Sequence, residues 1–145
     1  MYRPWTISPG ELDERMGVEI LEQSVDRVVL RLPVEGNRQS FGRLHGGASL
    51  AVGEAAGSWA ANIHASRFGK SAVGVNVAAT HHKGATEGMV TVTATPISLG
   101  RSLTTHQVVM EHESGVRLCT MQITNMILDV PIPGFELVED EAAEA

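Results

Sequence analysis

The segment from Gly46 to Ala65 constrains this chain more than any other. It holds seven alanines, four glycines and two serines, and its only ionisable residues are Glu54 and His64. Such a run predicts one long helix, but not one lying on a protein surface, because a surface helix carries charge along its outer face. Gly53 and Gly57 each cost about 1 kcal/mol relative to alanine in a helix interior, so close packing must offset them. The segment is therefore expected to be wrapped by its own sheet, with small residues that let the strands approach.

The rest of the sequence supplies that sheet. Asp26–Val34 places Val28, Leu30, Leu32 and Val34 on one side, the period of a half-buried strand. Before it, Ser8–Arg15 suggests a short helix and Met16–Gln23 a strand. Four strands are expected after the long helix: Ala72–Lys83, Gly88–Pro96, Leu103–Glu113 and Val116–Leu128. The last sets Cys119, Met121, Ile123 and Ile127 on one face. Thr86-Glu87-Gly88 and Glu113-Ser114-Gly115 carry turn residues. Connections this short cannot make parallel crossovers, so the strands should be antiparallel. The order ββ-α-ββββ predicts an α+β domain, an antiparallel sheet wrapped around one central helix. It would occupy residues 16–130, between an N-terminal segment (1–15) and an acidic tail (131–145) expected to be solvated and frayed.

Charge and composition exclude several functions. The formal net charge is -6 with no cluster of Lys and Arg, which disfavours nucleic-acid binding. Cys119 is the one cysteine, so no intrachain disulfide can form; its apolar strand predicts a buried thiol rather than a nucleophile. No apolar run could serve as a signal or span a bilayer, so a cytoplasmic protein without membrane contact is expected. The six histidines show no metal-ligand spacing. Gly69-Lys70-Ser71 mimics the end of a phosphate loop, but His64 stands where that motif needs glycine. Neither a serine-hydrolase elbow nor a dinucleotide fingerprint is present.

What remains is the helix itself. A carboxylate in an otherwise uncharged helix calls for a partner or a task, and helical spacing puts Ser58 on the Glu54 face. At the helix start, Leu44-His45-Gly46-Gly47 offers main-chain N–H groups that lack intrahelical acceptors. Donors at a helix N-terminus can hold a developing oxyanion, and glycine lets a ligand carbonyl come close. Donors and a carboxylate on one helix suit attack on a carbonyl.

The run Gln39-Ser40-Phe41-Gly42-Arg43-Leu44-His45-Gly46-Gly47-Ala48-Ser49, followed by Glu54 and Ser58, resembles hot-dog-fold acyl-CoA thioesterases of the phenylacetic-acid-pathway type. It is most similar to the branch with a helix glutamate, which includes 4-hydroxybenzoyl-CoA and 1,4-dihydroxy-2-naphthoyl-CoA thioesterases. The similarity spans about Met16 to Leu128 and includes Pro96 and Leu99-Gly100-Arg101. It implies that Glu54 is nucleophile or general base and that the Gly46 N–H polarises the thioester carbonyl. Gln39 and His45 would position the thioester, and Ser58 would orient Glu54 or the attacking water. It also implies a homodimer or homotetramer with sites at the subunit interface, and a substrate with a small aryl or short-to-medium acyl group. No cofactor is expected, since CoA is part of the substrate. His81, Lys83, Arg101 and Ser102 are candidates for its phosphates, as cations and hydroxyls near strand ends. A hydratase on the same fold, or a non-catalytic acyl-CoA-binding subunit, is the alternative.

Overall fold

The computed structural model describes residues 2–3, 6–131 and 138–139 of the chain. Its elements are β1 (Tyr2–Arg3), α1 (Glu11–Met16), β2 (Glu19–Gln23), β3 (Val28–Pro33), α2 (Gly46–Ser66), β4 (Ser71–His81), β5 (Met89–Leu99), β6 (Leu103–His112), β7 (Arg117–Leu128) and β8 (Val138–Glu139). Six strands form one antiparallel sheet in the order β2-β3-β5-β6-β7-β4. The 21-residue helix α2 packs along β3 to β7. This is the sheet around one central helix that the order of elements predicted, and the hot-dog architecture that the resemblance implied.

Two boundaries differ from expectation. The strand expected from Met16 starts only at Glu19, because Met16 closes α1 and Gly17 adopts a left-handed C-cap (φ 76°). The acidic tail is not wholly separate, since Val138–Glu139 pairs antiparallel with Tyr2–Arg3. Residues 132–137 and 140–145, and Trp5, lie outside the described residues.

The core lies between α2 and the concave face of the sheet. Val28, Leu30 and Leu32 from β3, Val90 and Val92 from β5, Met110, and Met121 with Ile123 from β7 are fully or almost fully buried. The helix glycines belong to this packing. A Cβ on Gly53 would stand 2.5 Å from the Met121 methyl and 2.6 Å from that of Met110; one on Gly57 would overlap Ile123. Close approach to the sheet thus offsets the helical cost of glycine. Cys119 is buried, which pushes its thiol pKa up and keeps it protonated.

The start of β4 is tied to α2 by one side chain. Asn62 Nδ2 donates to the Ala72 carbonyl at 3.0 Å, and Ala72 N donates to Asn62 Oδ1 at 2.9 Å. The amide acts as a strand partner in the space between helix and sheet. From that anchor β4 runs antiparallel to α2, bringing Gly74 beside Glu54 and His81 beside Gly46.

Candidate active site

His45 is the N-cap of α2, with extended backbone, and its Nδ1 accepts a hydrogen bond from Gly47 N at 2.8 Å. Ala48 N bonds to the His45 carbonyl at 2.9 Å. The Gly46 N–H meets no main-chain acceptor among the described residues. The His81 ring packs against Gly46, with Nε2 3.2 Å from where a Cβ would be.

The preceding loop is braced at both ends. His45 N donates to the Asn37 carbonyl at 2.8 Å, Leu44 N to the Ala85 carbonyl at 2.8 Å, and Gln39 N to the Arg43 carbonyl at 2.7 Å. The Gln39 side-chain oxygen accepts from Phe41 N, leaving its NH2 group as the donor available to a ligand. Gln39, Arg43, Gly46, His81 and Lys83 line a cavity of about 340 Å³. One other expected site residue, Gln39, and two expected phosphate contacts, His81 and Lys83, therefore share one space with Gly46.

Glu54 is elsewhere. The expectation of a carboxylate enclosed by its own sheet does not hold within one chain: Glu54 is exposed and forms no ion pair among the described residues. It emerges beside Gly74 on β4, an edge strand. Its Oε1 lies 3.0 Å from where a side chain on Gly74 would begin, so Gly74 makes room for it. Ser58, one turn on, is half-buried, and Asn125 Nδ2 reaches its Oγ at 3.4 Å. Glu54 and Gly46 are separated by eight residues, roughly 12 Å along the axis. A single reacting carbonyl cannot touch both groups of one helix.

The other phosphate candidates also divide. Arg101 lies by a second cavity, of about 460 Å³, at the far end of α2, with His64, Phe68 and Lys70. Ser102 is exposed, and its carbonyl accepts from Ile127 N at 2.8 Å. Arg67 Nη2 donates to His64 Nδ1 at 2.7 Å. Burial first, and then Arg67, push the His64 pKa down, against a hydrogen bond with the Gly100 main chain that pulls it up.

Asn125 was not anticipated. It occupies the one polar position on the apolar face of β7, between Ile123 and Ile127, and that break in alternation was its signal. Its Oδ1, Thr104 Oγ1 and both ring nitrogens of His106 are buried without protein partners. Thr104 lies directly across from Asn125, and His106 from Ile123, so the sheet register gathers these atoms beneath α2. Burial, followed by the nearby His64, lowers the His106 pKa to about 4.

The comparisons agree with this architecture. The thioesterase superfamily profile matches residues 41–119. The proofreading thioesterase EntH of Cronobacter turicensis is 34% identical over 122 residues, covering 83% of this chain and 88% of that protein. A crystal structure of a thioesterase from Haemophilus influenzae, 28% identical, covers 93% of this chain and all of its own with a TM-score of 0.81. A hypothetical thioesterase protein from Streptococcus pneumoniae, solved with coenzyme A, has the same fold at 16% identity, covering 79% of this chain and 88% of that one (TM-score 0.70). Fold and family thus define a hot-dog hydrolase. The chain belongs to the thioesterase superfamily and hydrolyses thioesters.

Proposed function

We propose that the substrates are acyl-CoA thioesters with small aryl or short-to-medium acyl groups, and that each active site is shared between two subunits of a cytoplasmic homodimer. The observation that carries this reading is the direction of β4. The strand has a free edge, and it places Gly74 beside Glu54 and His81 beside Gly46. Antiparallel pairing of two β4 edges about a two-fold axis between Val77 and Ala78 sets Gly74 opposite His81 of the partner subunit. Glu54 of one chain then faces Gly46 of the partner subunit, closing the gap that one helix cannot close. Val73, Met126 and Leu103 form an exposed row across β4, β7 and β6, which suits pairing of dimers into tetramers.

In this site the Gly46 N–H and the Gln39 amide donate to the thioester carbonyl, holding the charge that develops on oxygen. Glu54 attacks the carbonyl carbon or removes a proton from an attacking water. Ser58, held by Asn125, orients the carboxylate or that water, and His45 supports the donor loop. One water is consumed, and a carboxylic acid and the CoA thiol are released. Lys83 and His81 on one subunit and Arg101 with Ser102 on the other receive the nucleotide phosphates.

The test is thiol release from a panel of benzoyl, hydroxybenzoyl, phenylacetyl and straight-chain acyl-CoAs by the wild type and Glu54→Ala. Turnover that disappears in a folded Glu54→Ala protein supports the reading. Equal turnover in both would remove Glu54 from the mechanism, and hydration of an enoyl-CoA without thiol release would favour a hydratase.

A further inference from the structure

Five buried side-chain polar atoms lack a partner among the described residues, and four of them sit in one place: Thr104 Oγ1, both ring nitrogens of His106 and Asn125 Oδ1. All three residues are 0% exposed. Thr104 and His106 stand two apart on β6 and so share its α2-facing side, while Asn125 lies directly across from Thr104 on β7. Side chains directly opposite in such a pair start about 5 Å apart, and diagonal ones, such as His106 and Asn125, about 7–8 Å apart. Val108 and Ile123 continue the same two faces and are fully buried, so this is not a rim open to solvent. Polar groups that converge in a core without touching one another mark a place for ordered water, which bridges two to four of them.

The donors and acceptors fit such a bridge. Burial, and then His64 on α2, hold the His106 pKa near 4, and the strands beside it set only Pro96 and Ile123 against it. The ring is therefore neutral at ordinary pH, with one N–H and one bare nitrogen. A water that accepts from the Thr104 hydroxyl can donate to Asn125 Oδ1 and to that bare nitrogen. Only the His106 N–H is then left, for which a second water suffices.

The cluster meets the Glu54 face of α2 through one side chain. Asn125 Nδ2 reaches Ser58 Oγ at 3.4 Å, and Ser58 is one turn from Glu54. With the NH2 on Ser58, the serine keeps its own proton for Glu54 or the attacking water. Turned over, the amide would present its oxygen to Ser58 and engage that proton. What meets the other end of the amide decides between the two orientations. An inward Oδ1 finds acceptable partners, whereas an inward NH2 would crowd the Thr104 O–H and the His106 N–H with two more donors.

Building on the reading that Ser58 orients Glu54 or the attacking water, we propose that Thr104, His106 and Asn125 hold a buried water site that locks the Asn125 amide with its NH2 on Ser58. Thr104 and His106 are then positioning residues for thioester hydrolysis, acting through Asn125.

Crystal structures that resolve ordered water, of the wild type and of His106→Leu, test the site. Density bridging Thr104, His106 and Asn125 in the wild type and lost in the variant supports it; a dry cluster in the wild type overturns it. Turnover tests the consequence. His106→Leu should lower kcat roughly fivefold with KM unchanged. His106→Gln, which keeps a donor and an acceptor, should recover most of that loss. His106→Leu combined with Asn125→Ala should be no slower than Asn125→Ala alone. Equal losses in the Leu and Gln variants, a change in KM in place of kcat, or additive losses would each overturn the positioning role. Should the wild type cleave no acyl-CoA, that reading fails separately, and the Asn125 amide judges the proposal. Nuclear Overhauser contacts from its NH2 protons to Ser58 that weaken in His106→Leu support it, and contacts unchanged by the substitution overturn it.

Discussion

Two faces of α2 answer to different demands. Toward β6 and β7, Gly53 and Gly57 touch Met110, Met121 and Ile123, and volume decides which residue is allowed. Toward the edge strand β4, Glu54 and Ser58 meet almost nothing bulky, and chemistry decides. Residues 53 and 54 are neighbours in sequence yet belong to these separate regimes. The difference teaches that a helix can bury one side for stability and leave the other unfinished for a partner. Substitutions on the two faces should therefore affect stability and activity separately.

The largest expected effect lies on the open face. Glu54→Gln should lower kcat by roughly 10³ or more, about 4 kcal/mol of transition-state stabilisation. Its melting temperature should stay near wild type, because an exposed side chain without ion pairs changes stability by only about 0.5 kcal/mol. Unfolding of this variant would show that Glu54 belongs to the packed face after all. A complementation test sharpens the point. Gly46→Pro removes the donor N–H at a helix position that tolerates proline, after a residue already extended. Mixing inactive Gly46→Pro with inactive Glu54→Gln should restore turnover in mixed dimers, each holding one intact site. Persistent inactivity in verified mixed dimers would break the shared-site reading.

Beneath the closed face, His106 makes stability depend on pH. Its folded-state pKa of about 4 lies below the ordinary value of 6.5, so the unfolded chain binds the proton first. Stability should fall as pH drops from 6.5 towards 4, by about 3 kcal/mol from this group. His106→Leu should flatten that part of a urea-unfolding series; an unaltered slope would assign it to other groups.

Smaller effects follow on each face. Gly57→Ala gains helix propensity but drives a methyl into Ile123. A net loss of about 1–2 kcal/mol is expected, with a melting temperature several degrees lower and normal kcat per folded molecule. Ser58→Ala and Asn125→Ala should each lower kcat by roughly tenfold, about 1.4 kcal/mol, and the double variant no further, because the two act through one hydrogen bond. Simple additivity would separate them.

Much of this was legible before any coordinates. Alternation in residues 28–34 and 116–128, short turns, and a long helix rich in small residues specified the sheet, its antiparallel sense and its wrapped helix. The His45-Gly46-Gly47 start and Glu54 stood out because each conflicts with its surroundings: glycines at a helix start, a carboxylate in an uncharged helix. Asn125 was overlooked because one polar residue in an apolar strand looks like tolerance until a partner is seen across the sheet.

By itself, then, the sequence determined the elements, their order and the two chemical ends of α2, because periodicity and local propensity act over a few residues. Only the tertiary structure decided that Glu54 is exposed in the single chain, that Gly74 and His81 lie beside Glu54 and Gly46, and that Arg101 stands apart from Lys83. Those relations depend on the register and direction of β4, set by the Asn62–Ala72 contact and by pairing with β7, between residues far apart in the chain.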